Sequence, residues 1–330
     1  MMSTLRTVLS RYPAIAQPLE EPEALGNAGG FSGSRFWRFG SGMGRLALRA
    51  WPVDGPSESA LARIHSWLLG AARLDFVPEP LASLDGRTFV AWDGRLWELT
   101  RWLTGAADPA RPPTPARVFS AFAALGAFHQ AMNGPAIVGP SGGIRARLHE
   151  VEQLLGGGFD SFALVLDRSR TDPLHDPAAR WLEAARGAAP GLVGPLTRAC
   201  AIQVPIQPCI RDIRPEHILF EENRVTGLVD FGAMDLETVA TDLARLLSEW
   251  GIDDRVLRRQ ALDAYHAVRP LSLEESALIK VFEDATALLG GARWIRWRFV
   301  EGRVFVNADS EARALDRLNA RVSGRSPSIR

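Results

Sequence analysis

The sequence predicts an α+β protein of two lobes, a small antiparallel-sheet lobe followed by a larger helical lobe with one embedded hairpin. Three observations carry this. Glycine-rich and Asp-Gly turns punctuate short hydrophobic runs as far as Gly105. Beyond Gly105 the text becomes Pro-rich (ADPARPPTP) and then helically periodic. Within that helical region only residues 217–229 read as β, two short runs around a turn at Glu222-Asn223.

A short helix is expected over about 3–12. The stretch from Glu23 to Pro52 then reads as a strand, a glycine-rich turn (Gly29-Gly30-Phe31-Ser32-Gly33), a strand (Arg35–Phe39), a turn (Gly40–Gly44) and a strand (Arg45–Trp51). Ser57 is placed to cap a helix running to about Ala72, with Ala60 at N3. Asp85-Gly86 and Asp93-Gly94 each lie between hydrophobic runs and predict tight hairpins, the last strand being Arg95–Trp102. Leu99–Gly105 connects the lobes, so that residues 1–104 form one domain and 105–330 the other. Helices are expected at about 114–132, 143–157, 175–187, 238–250, 254–267, 272–300 and 308–322. There is no internal repeat.

Bulk properties narrow the class. A chain of 330 residues, 46% hydrophobic and 23% charged, buries a substantial core. Its formal net charge of zero gives no pointer to nucleic acid or to an anionic membrane. Cys200 and Cys209 are too few for a disulfide framework and lack metal-ligand spacing; two buried reduced thiols are expected. The N-terminal text shows neither a sustained apolar run nor a small-residue cleavage site, and no stretch is apolar for the roughly 18 residues a spanning helix needs, so a cytoplasmic protein is the expectation. The chain has a single lysine, Lys280, so any site that wants a cation must use arginine.

The chemistry concentrates in CIRDIRPEHILFEENRVTGLVDFGAMDLETVATDLARLL, Cys209 to Leu247. A loop carrying Asp212 and His217 leads into the hairpin, and the hairpin returns Asp230 close to that loop. Two carboxylates and an imidazole therefore converge. Phosphoryl transfer needs such a group: one carboxylate orients the attacking hydroxyl and accepts its proton, and another helps hold a magnesium ion against the phosphates. Asp212 fits the first role and Asp230 the second, with His217 supporting the metal or a phosphate oxygen.

This segment resembles the signature of the aminoglycoside phosphotransferase and choline kinase superfamily, relatives of the protein kinases. Asp212 stands at the catalytic aspartate, His217 at the metal-binding asparagine, Asp230-Phe231-Gly232 at the second motif, and Asp242-Leu243-Ala244 follows at the family spacing. The resemblance implies a protein-kinase-like fold and a small-molecule kinase using ATP or GTP with Mg2+, acting on a small hydroxyl acceptor. It further implies that GGFSGSRFWRF, with Gly29, Gly30, Ser32 and Gly33, covers the phosphates. Arg49 stands where the family has lysine, and WELTRWLTG, with Thr100 and Trp102, forms the hinge whose backbone holds the adenine.

The pattern is also broken. Ile210 and Arg211 replace His-Gly before the catalytic aspartate, His217 replaces asparagine and Arg49 replaces lysine. Thr238 and Val239 replace Asp-Pro. The helix that should supply a glutamate partner for Arg49 offers only Glu58 in its first turn, with His65 at its middle. These departures keep open a non-catalytic nucleotide-binding protein on the same fold. Asp242 reads as a fold residue, an acidic group at a helix start able to bond nearby amides, and His129 as a packing residue, while Trp294 and Trp297 share one helical face that core packing would use. Arg293, Arg296 and Arg298 read as solvated surface.

Overall fold

The computed structural model describes residues 2–26, 33–108, 110, 112–132, 134 and 137–303, with the single positions 315, 319 and 322. Gly29, Gly30 and Ser32 of the glycine-rich turn lie outside the described residues, as does nearly all of the helix expected at 308–322. The chain divides into two compact units: residues 1–134, 210–235 and 249–270, and residues 135–209, 236–248 and 271–330.

The first unit opens with α1 (Met2–Leu9) and an antiparallel sheet of β1 (Glu23–Gly26), β2 (Arg35–Ser41), β3 (Gly44–Ala50), β4 (Val90–Trp92) and β5 (Arg95–Arg101), in the order β1-β2-β3-β5-β4. Strand alternation sorts the side chains. Trp37, Phe39, Leu46, Leu48, Ala50, Trp97 and Leu99 form one buried cluster with Leu5, Val8, Leu9 and Tyr12. Trp37 and Trp97 stack there with ring centroids 5.5 Å apart. Burying each such side chain contributes about 1.5–3 kcal/mol. The opposite parity gives Arg49 of β3 and Glu98 of β5, direct partners across the ladder. On this side lie Trp51, Phe89 and Leu61, the last from α2 (Glu58–Gly70). The cap at Ser57 forms as expected, its Oγ accepting from the Ala60 N–H at 3.2 Å.

The two Asp-Gly pairs part company. Asp93-Gly94 closes the β4–β5 hairpin, with positive φ at both residues, 52° and 67°, as a type I′ turn needs. Asp85-Gly86 closes no strand ladder. The Asp85 carboxylate instead accepts from Ser83 Oγ at 2.6 Å and the Arg87 N–H at 3.1 Å, so the side chain satisfies the turn in place of a neighbouring strand.

The unit continues with β6 (Ala106–Ala107), α3 (Pro115–Ala131), a 3-10 turn (Pro215–His217), β9 (Ile218–Glu221), β10 (Arg224–Leu228) and α8 (Arg255–His266). The predicted hairpin is present as β9 and β10, and β6 adds to it in the order β10-β9-β6. His129 is fully buried and its Nδ1 lies 2.8 Å from the Tyr265 hydroxyl, the packing role expected of it.

The second unit holds β7 (Ile137–Pro140), α4 (Gly142–Gln153), α5 (Phe159–Asp167), α6 (His175–Ala199), β8 (Gln203–Cys209), α9 (Leu273–Ile295) and, apart from Asp235, Glu249 and Trp250, which fall in the first unit, β11 (Asp235–Glu237) and α7 (Ala240–Trp250). Two expectations fail here. The hairpin is not the only β-structure beyond Gly105, since β11, β8 and β7 form a further sheet; Pro205 and Pro208 disguised β8. The helix expected to end near 187 runs on to Ala199 through Pro190 and Pro195, because Ala189, Leu196 and Ala199 extend its buried stripe. Cys209 is buried but Cys200 only partly so. Asp242 is fully buried in the first turn of α7, as a fold residue would be. Trp294 and Trp297 pack edge to face, 5.7 Å between centroids. Arg298 is not bare surface; it pairs with Asp172 at 3.0 Å. Lys280 is held by Asp284 on the same helix.

Candidate active site

All the described residues expected to carry the chemistry lie in the first unit. Asp212 and His217 stand on the loop before β9, and Asp230 follows β10. Pairing of β9 with β10 continues past the ladder through the Val229 N–H, which donates to the His217 carbonyl at 2.9 Å and draws Asp230 alongside that loop. The Phe231 ring packs on Phe128, 5.4 Å between centroids. A Cβ on Gly232 would stand 2.7 Å from Trp51 Cη2, so the third residue of Asp-Phe-Gly must be glycine for that ring to seat.

His217 ties the two acids together. Its Nδ1 is 3.0 Å from the Asp212 carbonyl oxygen, which can only accept, so Nδ1 carries the proton. In the neutral ring Nε2 is then the lone-pair nitrogen, and it lies 3.7 Å from Asp230 Oδ2. Asp230 is 43% exposed and Asp212 35%, open enough for a ligand to reach.

Arginines face both carboxylates. Arg49 places Nη1 and Nη2 each 3.3 Å from Asp230 Oδ1. Its Nε donates to Ser34 Oγ at 3.2 Å, and its guanidinium lies 3.5 Å from the centroid of the Trp51 ring. Arg214 sets Nε and Nη2 each 3.3 Å from Asp212 Oδ1. Burial works against the Arg214 charge, but Asp212, Glu249 and Glu216 outweigh it and raise its pKa. Sequence reasoning missed Arg214; its only signal was a cation two places after a candidate catalytic acid.

The carboxylate partner of Arg49 comes from an unexpected element. Glu58, the one acid on α2, is spent on Arg87 at 2.5 Å. Glu98 of β5 takes the place instead, its Oε1 3.8 Å from Arg49 Nη1, and its Oε2 lies 2.8 Å from His65 Nε2. Burial alone would raise the Glu98 pKa; the His65 hydrogen bond and the Arg49 charge prevail and hold it below its ordinary value of 4.5.

The remaining expected residues are placed as follows. Gly33 has φ +69° just ahead of β2. Thr100 lies in β5, opposite Ala47. The Trp102 N–H donates to the Arg45 carbonyl at 3.0 Å, extending the β3–β5 pairing, and Arg38 lies 4.9 Å from its ring centroid. Ile210 is buried, and Arg211 adopts φ +65°, the left-handed conformation for which glycine is suited. An arginine therefore occupies a backbone conformation that glycine would adopt without strain. Arg211→Gly is expected to be more stable than Arg211→Ala by about 1 kcal/mol, since both lose the exposed contact to Asp235 and only glycine relieves the strain. Urea unfolding of the two variants checks this.

Comparison with known proteins agrees with this geometry. The sequence matches the description "Phosphotransferase enzyme family" over residues 23–277. The chain belongs to that family. A homoserine kinase of Acidiphilium cryptum is 26% identical over 240 residues, covering 67% of this chain and 66% of that protein, just under two thirds of its length. Among solved structures, an amicoumacin kinase in complex with AMP-PNP, Ca2+ and Ami superposes with TM-score 0.63 at 13% identity, over 99% of this chain and 93% of the other. An aminoglycoside phosphotransferase from Alicyclobacillus acidocaldarius gives TM-score 0.58 at 21% identity, over 97% and 92%. The family member described here thus has the protein-kinase-like fold that its motifs imply, with an antiparallel-sheet part and a helical part. Among the described residues no helix is long and apolar enough to cross a membrane.

Proposed function

We propose that this protein transfers the γ-phosphate of ATP or GTP to the hydroxyl of a small acceptor. The observation that carries the reading is His217, which bonds the Asp212 backbone through one ring nitrogen and presents the other to Asp230. In the proposed reaction the acceptor oxygen forms a bond to the γ-phosphorus as the bond to the bridging oxygen breaks. The hydroxyl proton passes to the Asp212 carboxylate, and nucleoside diphosphate leaves. Arg214 keeps Asp212 aimed until the acceptor arrives. Arg49 engages phosphate oxygens, for which a guanidinium is well shaped. Residues 1–104 bind the nucleotide, with Gly29, Gly30, Ser32 and Gly33 over the phosphates and the hinge at Thr100 and Trp102; residues 105–330 hold the acceptor.

The donor set of Asp230 and His217 Nε2 fits a hard divalent cation that brings its own waters and binds phosphate oxygens as well. Magnesium held by Asp230 and His217 would neutralise charge on the β- and γ-phosphate oxygens.

The test is a screen of hydroxylated metabolites, headed by homoserine because the 26%-identical relative is a homoserine kinase, followed by amino alcohols and antibiotics. Nucleoside diphosphate release is read with ATP and with GTP, wild type beside Asp212→Asn. Acceptor-dependent release is expected, falling at least ~100-fold in Asp212→Asn with nucleotide binding retained. Nucleotide binding without turnover on any acceptor would instead establish the non-catalytic reading.

A further inference from the structure

We propose that Glu98 and His65 are positioning residues that hold Arg49 in the orientation in which it meets the nucleotide phosphates. This rests on the phosphotransferase reading of the site and assigns a task to two groups outside the reacting centre.

The register makes the arrangement. Arg49 and Glu98 are direct partners across the β3–β5 ladder and leave the sheet on the same face. Both are buried, as is His65 on α2. A buried carboxylate needs a partner for each oxygen, and Glu98 has them: Oε2 faces His65 Nε2 at 2.8 Å, and Oε1 faces Arg49 Nη1 at 3.8 Å. An ionised carboxylate only accepts, so His65 Nε2 carries a proton. The other ring nitrogen, Nδ1, lies 2.7 Å from Thr88 Oγ1, which fixes the ring from behind. The chain of contacts runs from Thr88 through His65 and Glu98 to Arg49.

Arg49 thus has two acidic neighbours of different character. Asp230 is half-exposed and belongs to the reacting centre, so its contact with Arg49 must loosen when a phosphate and a cation arrive. Glu98 is enclosed and anchored by His65, so its contact persists and keeps the guanidinium at its station beside the Trp51 ring. A helix-borne glutamate cannot do this, because Glu58 is engaged by Arg87. In this chain the carboxylate has moved to the neighbouring strand, and the helix supplies the imidazole that braces it.

The experiment measures binding of AMP-PNP with magnesium by calorimetry, and steady-state kinetics on any acceptor found, for the full chain and for Glu98→Gln, His65→Leu and His65→Gln. Each is also made in an Arg49→Ala background. Glu98→Gln is expected to weaken nucleotide binding roughly tenfold and lower kcat by up to about 100-fold, with the acceptor KM unchanged. His65→Leu should behave alike, and His65→Gln, which keeps a donor toward Glu98, should recover to within about threefold of wild type. In Arg49→Ala, adding Glu98→Gln should change binding less than about twofold, because groups acting through one another are not additive. A purely structural role would lower the melting temperature and leave the affinity of the folded protein intact; that result, or full additivity with Arg49→Ala, overturns the proposal. Wild type that binds AMP-PNP without turning over any acceptor removes the catalytic reading but leaves the binding comparison decisive. A wild type that does not bind the nucleotide overturns both.

Discussion

Asp230→Asn is expected to lower phosphoryl transfer on the order of 1000-fold while moving the melting temperature by less than about 2 °C. Two features make this substitution unusually clean. Asp230 sits at φ +62°, a left-handed conformation that asparagine tolerates as well as aspartate does, so the backbone has no reason to shift. Its side chain is 43% exposed, so its contact with Arg49 is screened and contributes little to folding. What the variant removes is one negative charge beside His217 Nε2, where a divalent cation would be held. Several kcal/mol of charge stabilisation at the phosphates should go with it. Arg49 keeps Glu98 as a partner, so the guanidinium is not left unpaired in a buried setting. The measurements are nucleoside diphosphate release under saturating acceptor and thermal unfolding of the same preparation. Wild-type turnover in Asp230→Asn would exclude this residue from the metal's ligands, whereas an equal loss of turnover and stability would show that Asp230 props up the loop.

How much of this was legible beforehand follows the range of the interactions. The β9–β10 hairpin, the cap at Ser57 and the Asp93-Gly94 turn depend on neighbours a few places away, and local chemistry announces such contacts. The convergence of Asp212, His217 and Asp230 was legible for the same reason, since one short ribbon carries all three. Glu98 was not legible as the partner of Arg49. The pairing depends on which residues of β3 and β5 stand opposite, and register is set by the hydrophobic faces of the whole sheet together with the hairpin closing it. Arg211 is hidden in another way: an arginine carries no local signal for the left-handed region, and only the structure shows it there, at a cost in strain. β8 was hidden by its prolines, and the second half of α6 likewise, because a local rule about backbone donors was overridden by burial of a continuous apolar stripe.

The other large effect expected is on stability. Gly105→Ala should destabilise the fold by about 3–5 kcal/mol, lowering the melting temperature on the order of 10 °C. Two costs combine. The backbone at Gly105 has φ +98°, outside the region where side chains are tolerated, which alone costs of order 1–3 kcal/mol. A Cβ there would also stand 2.3 Å from Thr226 Oγ1, 2.9 Å from the Phe220 carbonyl oxygen and 3.0 Å from its carbon. The first of these can turn aside only by giving up the hydrogen bond that Thr226 donates to the Thr104 carbonyl at 2.8 Å; the other two belong to the backbone of β9, which β6 pairs with immediately afterwards. The chain at Gly105 therefore lies directly on the hairpin that carries His217 and Asp230, and glycine is what permits the approach. Gly94→Ala separates the two costs, because Gly94 also has positive φ, +67°, but nothing within 4 Å of its would-be Cβ. It should cost about 1 kcal/mol, the conformational part alone. Adding Thr226→Ala to Gly105→Ala should recover only part of the loss, since the Phe220 backbone stays in the way. Urea unfolding of the variants is the check: equal costs at the two glycines would mean that backbone conformation decides both, and that the chain at Gly105 does not press on the hairpin.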